Sequence, residues 1–166
     1  MLKLKEKQLL LKIRLLVLFF IGALVASGLT AFPLEAELKV INRVLETAPD
    51  SFLVLKNWMK IIYEGLQYTG ENYPFLLYGT DWLAFAHLMI AVAFIGVYVQ
   101  PVRNKWIIYW GMIMCICIIP TAFICGAIRQ IPIYWQLIDC SFGVFGILPL
   151  MLVARWIRKL EQVINK

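Results

Sequence analysis

Four long apolar stretches constrain this chain more than any other feature of its sequence. They cover residues 15–32, 82–100, 106–128 and 137–157. Each approaches the roughly 20 residues that an α-helix needs to cross a hydrocarbon layer about 30 Å thick. The composition agrees, because 62% of the 166 residues are hydrophobic and only 16% are charged, against about 25% charged residues in soluble domains. The sequence therefore predicts an all-α integral membrane four-helix bundle that forms a single membrane domain over residues 1–166, and it excludes a water-soluble enzyme.

Basic residues predict the orientation of the four spans. Eleven of the 16 Lys and Arg residues lie before the first span, between the second and third, or at the end of the fourth and beyond it. These eleven are Lys3, Lys5, Lys7, Lys12, Arg14, Arg103, Lys105, Arg155, Arg158, Lys159 and Lys166. Because an excess of Lys and Arg in short loops marks the cytoplasmic side, we expect both termini in the cytoplasm and the chain in a bacterial inner membrane. The first apolar stretch exceeds the roughly 7–15 residues of a signal-peptide core, so we expect it to be a retained anchor.

The segment of residues 33–81 lies on the predicted outer side, between the first two spans. Apolar residues recur in it at helical spacing, first from Leu34 to Leu45 and again from Phe52 to Ile62, with a break near Pro49. This spacing predicts two amphipathic helices, the second ending near Gly65. Such helices lie on the outer leaflet or pack against the bundle. A connector that only covers loop ends is the alternative.

Few ionisable side chains lie inside the predicted spans, and they share one depth. Insertion of a charged side chain into the membrane costs about 2.5–3.5 kcal/mol on insertion scales, so each such residue calls for a structural or functional explanation. They occur at the outer ends of the second, third and fourth spans. Together with a threonine and a tyrosine they form our candidate ligand-binding set. Its members are Asp81, His87, Arg129, Asp139, Thr121 and Tyr78.

Helical spacing predicts which polar residues face other helices. A polar stripe recurs every four residues along the third span, at Cys117, Thr121, Cys125 and Arg129. On the fourth span, Asp139 shares a face with Gly143 and Gly146. Glycines on one face usually mark close contact between membrane helices. We therefore expect Asp139 to face the bundle and to pair with Arg129 or His87.

Three interpretations of this cluster remain open. Arg129 and Asp139 could form a structural ion pair that locks the third and fourth spans together. The cluster could instead line a pocket for a small or lipidic ligand, since charge inside a membrane is often functional. Alternatively, His87 could act as a base with Asp139 or Asp81 as its partner. One histidine with two distant carboxylates is a poor transition-metal site, and we expect neither a metal nor a cofactor.

Two of the four cysteines need separate treatment. Cys125 and Cys140 lie at matching depths on spans joined by a short connector. A disulfide between them is geometrically feasible if their Cβ atoms point together, and an oxidising outer compartment would permit it. The alternative is two buried free thiols, which behave as small apolar side chains.

Three segments carry a resemblance. They are LYGTDWLAFAH at residues 77–87, PVRNKW at 101–106 and IPIYWQLIDCSFG at 131–143. Over roughly residues 77–150, the chain resembles small bacterial membrane proteins with four spans. The resemblance implies the same fold and carries no activity.

The sequence favours a non-catalytic membrane protein whose outer-leaflet polar pocket binds a small or lipidic ligand or a partner protein. The alternative is a membrane-embedded enzyme that uses His87 with Asp139 or Asp81. Membrane lipids are the expected surroundings, and an oligomer or a partner membrane protein stays open. We expect no nucleic acid, because the tyrosines and tryptophans fit aromatic belts at the two interfaces.

Overall fold

The computed structural model describes residues 2–164, and Lys166 of the predicted cytoplasmic set lies outside them. The helices are α1 (Leu2–Thr30), α2 (Leu34–Glu46), α3 (Leu53–Asn72), α4 (Tyr78–Val99), α5 (Lys105–Ile128) and α6 (Ile133–Ile164). Single 3-10 turns at Asp50–Phe52 and Pro74–Leu77 precede α3 and α4. Within the described residues, 90% are helical and no strand occurs. The all-α prediction is confirmed.

Four segments are long and apolar enough to cross a membrane. They are Lys3–Thr30, Pro74–Val99, Lys105–Ile128 and Ile133–Ile164, with mean hydropathies of 2.1 to 2.5 in their most apolar windows. Each contains most or all of one predicted span, but α1 and α6 extend well beyond theirs. Hydropathy marks only the part of a helix that prefers lipid, whereas the backbone hydrogen bonds continue into the charged flanks.

The chain divides into two compact units, of which the first contains the start of α1 and everything from Val92 onward. Its core includes Phe94, Ile108 and Leu150, all almost completely buried. Helices α5 and α6 pack along their lengths, and glycines bring them close. A Cβ atom at Gly143 would lie 2.5 Å from the backbone oxygen of Cys115. The predicted close contact through the glycines of α6 is confirmed.

A tight turn joins α5 to α6. The Ile131 N–H donates to the Gly126 carbonyl at 2.9 Å, and the Gln130 N–H donates to the Ala127 carbonyl at 3.3 Å. This pattern is a Schellman motif, which needs a left-handed residue just after the helix. Gln130 takes that conformation, with φ of 56°. The buried amide of Gln136 donates to the Ile131 carbonyl at 2.7 Å and fixes the turn against the first residues of α6.

The second unit covers Ala23–Ala91. Gly28 of α1 packs on α4, because a Cβ atom there would lie 3.0 Å from the Ala84 carbonyl oxygen. Helices α2 and α3 also pack together. Leu38 and Met59 are buried, and the Asn42 amide donates to both of their carbonyls, at 2.9 and 3.3 Å. The two predicted helices of the 33–81 segment are confirmed.

One boundary in this segment is wrong. The sequence predicts an end near Gly65, but α3 continues to Asn72. A helix tolerates a single interior glycine at a cost of about 1 kcal/mol. The helix continues through Gly65, and the Thr69 hydroxyl also donates back to the Gly65 carbonyl, at 2.8 Å.

Candidate functional site

A groove of about 490 Å³ runs along α5 toward the α5–α6 turn, within the first unit. Its walls come from three consecutive parts of the chain: α5 with its C-cap, the turn, and the first residues of α6. The lining residues are Met114, Cys117, Ile118, Thr121, Ala122, Cys125, Gly126, Arg129, Ile131 and Asp139. We call this the α5–α6 groove.

The polar stripe predicted on the third span lies along this groove. All four of its members, from Cys117 to Arg129, line the groove. The Thr121 hydroxyl donates to the Cys117 carbonyl at 2.7 Å, and its oxygen lone pairs stay free to accept a hydrogen bond from a ligand. Beside this stripe, Met114, Ile118 and Ala122 form an apolar wall. The groove therefore suits an apolar chain with a polar group at one end.

Charge is concentrated at the end of the groove beside the turn. Arg129 is the exposed C-cap of α5, and Asp139 is half-buried in the second turn of α6. The ion pair expected between them does not form. Across residues 2–164 the ion pairs are Lys60–Glu64 and Lys105–Glu161. The Arg129 N–H still donates to the Cys125 carbonyl at 2.9 Å, so Arg129 keeps its place on the polar stripe of α5. The left-handed Gln130 that follows sets the course of α6 and with it the position of Asp139.

The disulfide considered for Cys125 and Cys140 is not formed, because both cysteines are free. Their side chains have different surroundings. Cys140 is buried at 8% exposure, whereas Cys125 is exposed and lines the α5–α6 groove. Matching depth on neighbouring helices is therefore not enough to join them, because the Cβ directions must also converge.

The remaining candidate residues belong to the second unit. The Nδ1 nitrogen of His87 lies 2.8 Å from the Leu83 carbonyl oxygen. Since a carbonyl only accepts, this contact requires a proton on Nδ1, and in a neutral ring it would leave Nε2 as the acceptor. Asp81 is exposed, and among the described residues the hydrogen-bond partner of the His87 ring is the Leu83 carbonyl and not Asp81. Tyr78 packs edge-on against Trp82, with ring centroids 5.9 Å apart.

The six candidate residues thus fall into two groups. Thr121, Arg129 and Asp139 share the α5–α6 groove, whereas Tyr78, Asp81 and His87 lie in the other unit. The enzyme that would use His87 stays a prediction. Among the described residues, no three His, Cys, Asp or Glu side chains form a group that could hold a metal ion.

Sequence reasoning missed the apolar wall of the groove. Met114, Ile118, Ala122 and Gly126 recur every four residues, one place along from the polar stripe. Two parallel stripes of this kind, one polar and one of small or apolar residues, could have predicted the groove from the sequence. Gln136 was also missed, and a lone glutamine three residues before Asp139 gives no signal of its own.

The fold and the groove define an α-helical, multi-pass membrane protein with an open, mainly apolar site that carries a cation and a carboxylate at one end. No protein-family model, curated protein or solved structure matches the chain. The likeness to small bacterial four-span proteins therefore stays a prediction.

Proposed function

We propose that this chain is a non-catalytic protein of a bacterial inner membrane that binds a small lipidic ligand in the α5–α6 groove. One observation carries the proposal. Arg129 and Asp139 line the same end of a mainly apolar groove of about 490 Å³, and neither is paired with the other. Ligand pockets commonly measure about 300–1,000 Å³, with a few polar groups that fix the orientation of the ligand.

The unpaired charges favour a ligand with a polar head. A charge held near apolar surroundings is costly unless it is paired or reaches water. A head group that carries both an acceptor and a donor would satisfy Arg129 and Asp139 together. The Thr121 hydroxyl can accept one further hydrogen bond, and an acyl or isoprenoid chain would pack along Met114 and Ile118.

The distribution of Lys and Arg supports the placement of this groove in the outer leaflet. The basic clusters flank the opposite ends of the spans, and such clusters favour the cytoplasmic side. In this orientation both termini are cytoplasmic and the α5–α6 turn faces outward. A ligand would then enter sideways from the outer leaflet, because Cys117, Thr121 and Cys125 line the groove and are exposed.

A pair of substitutions tests whether the groove is the binding site. Ala122 lines the groove, whereas Ala127 lies on the same helix, is exposed and is outside it. Phe at position 122 would occupy the groove, and Phe at position 127 would not. We expect mass spectrometry of the purified protein to find a lipidic species in near-stoichiometric amount in the wild type and in Ala127→Phe. Ala122→Phe should lose most of it.

Charge variants give a second test that does not fill the groove. Arg129→Gln and Asp139→Asn should each reduce retention of the same species, while Arg103→Gln, in the turn between α4 and α5, should not. Equal retention by all of these variants would refute the proposal. If a protein co-purifies in place of a lipid, and Ala122→Phe abolishes its co-purification, the groove binds a partner protein and not a lipidic ligand.

A further inference from the structure

A second groove of about 550 Å³ lies between α2 and α3, within the second unit. Four cations line it: Lys39 and Arg43 from α2, and Lys56 and Lys60 from α3. In each pair the two residues are four positions apart, so their side chains are neighbours on one face of a helix. We call this the α2–α3 groove.

The charges in this groove are poorly balanced. Two carboxylates, Glu46 and Glu64, also line it, and they stand against four cations. The Lys60–Glu64 pair is long at 3.8 Å and its side chains are largely exposed, at 71% and 61%, so water screens it. Like charges at a spacing of four residues repel each other. An anion in the groove would relieve this repulsion on both helices.

One of the cations is already held in place. The Lys56 ammonium donates to the Ala48 carbonyl at 2.5 Å, which keeps this half-buried side chain against the turn between the helices. The Asn42 amide holds α2 and α3 together at the same level through the carbonyls of Leu38 and Met59. The hairpin therefore fixes the floor of the groove and one of its four cations, while Lys39, Arg43 and Lys60 are exposed around it.

The chain itself holds this hairpin at a membrane surface. Only residues 31–33 separate the end of α1 from the start of α2, and so short a link reaches at most roughly 14 Å. On α2, Val40, Ile41 and Val44 are exposed, at 60%, 41% and 62%. At 100° per residue, Ile41 and Val44 lie about 100° or more from both Lys39 and Arg43, whereas Val40 lies about 60° from Arg43. A basic groove with an exposed apolar side is typical of helices that lie in a lipid interface.

We propose that the α2–α3 groove binds the phosphate of an anionic phospholipid in the leaflet that borders it. Lys39, Arg43, Lys56 and Lys60 surround the phosphate, and the exposed Ile41 and Val44 of α2 enter the boundary of the acyl chains. This site is separate from the α5–α6 groove and does not depend on the proposed function. It also does not depend on which side of the membrane the hairpin occupies.

The test uses the full chain in an uncharged detergent, titrated with a short-chain phosphatidylglycerol. Binding is followed by calorimetry, with short-chain phosphatidylcholine and inorganic phosphate as the other two titrants. We expect saturable binding of phosphatidylglycerol and much weaker binding of the other two. Because each Lys or Arg near an anionic surface contributes about 1 kcal/mol, Lys39→Gln/Arg43→Gln should weaken binding roughly 25-fold.

Two control variants keep the result interpretable. Lys3→Gln/Lys5→Gln makes the same change in net charge at the start of α1 and should leave the affinity unchanged. Lys39→Arg/Arg43→Lys preserves the charge of the groove and should bind within a few-fold of the wild type, while circular dichroism checks the fold of each variant. An equal loss in the two Gln variants would overturn the proposal, since it would show a response to net charge alone.

The other titrants can also overturn it. Equal affinity for phosphatidylcholine would show that the headgroup charge is not recognised. Equal affinity for inorganic phosphate would show a site for free phosphate and not for a lipid. If phosphatidylglycerol does not saturate the protein up to its solubility limit, the proposal is wrong. An acidic segment of another protein would then be the occupant to test.

Discussion

Gly143 offers the sharpest test of how α5 and α6 pack. A methyl group at this position would lie 2.5 Å from the carbonyl oxygen of Cys115, which is roughly 0.9 Å inside the 3.4 Å where ordinary contact begins. The obstacle is backbone, so no side-chain rotation can relieve it and the two helices must separate. Overpacking of this kind costs about 1–3 kcal/mol, while alanine returns up to about 1 kcal/mol through helix propensity. We expect Gly143→Ala to destabilise the protein by about 1–2 kcal/mol.

The assay is unfolding by sodium dodecyl sulfate in mixed micelles, followed by circular dichroism and tryptophan fluorescence. Gly22→Ala is the matched control, because Gly22 also lies inside a membrane helix and a Cβ atom there would meet nothing within 4 Å. It should be neutral or slightly stabilising. A second comparison separates backbone from side-chain obstacles. A Cβ atom at Gly126 would lie 2.5 Å from Cδ of Gln136, so Gln136→Ala should partly rescue Gly126→Ala.

Gln136→Ala should not rescue Gly143→Ala, because that obstacle is the Cys115 carbonyl. If Gly143→Ala is as stable as Gly22→Ala, the close approach of α5 and α6 is wrong. If Gln136→Ala rescues both glycine variants equally, the distinction between the two obstacles is wrong, and the change at Gln136 acts on the fold as a whole.

Two further predictions concern the α5–α6 turn and the orientation of the chain. Gln130→Gly should raise the free energy of unfolding by about 1 kcal/mol, because a non-glycine residue at φ of 56° costs about 1–2 kcal/mol; a Gln130→Val variant more stable than the wild type would contradict this. In a variant whose native cysteines are replaced by alanine, Asp50→Cys should react with an impermeant maleimide in intact spheroplasts, whereas Lys3→Cys should react only after lysis. The reverse pattern would invert the proposed topology.

The sequence was sufficient to predict the helices and their membrane character. The lengths of the apolar stretches, and the helical spacing of residues such as Leu34 and Leu45, can be read directly from the order of residues along the chain. The structure confirms the helices that these two features predict. The polar stripe of α5 could be predicted for the same reason. A period of four residues places side chains on one face whatever the helix packs against.

The contacts of that stripe could not be predicted in the same way. Helical spacing gives the direction of a side chain about its own axis, but not the rotation of one helix against the next. The Arg129–Asp139 pair and the Cys125–Cys140 disulfide both required that rotation. The course of the chain after Arg129, and with it the position of Asp139 on α6, depends on the left-handed Gln130. Nothing in the local pattern specifies a left-handed conformation at a glutamine.

The unequal lengths of the membrane helices have a consequence for the bilayer. At 1.5 Å per residue, α4 and α5 are roughly 33 and 36 Å long, close to the hydrocarbon thickness of about 30 Å. Helices α1 and α6 are roughly 44 and 48 Å long and extend past it. A thicker or thinner bilayer therefore changes how much of α1 and α6 lies in water. For α4 and α5 it instead creates a difference between the length of the helix and the thickness of the hydrocarbon layer. Hydrophobic mismatch at α4 and α5 would set the bilayer thickness at which this protein is most stable.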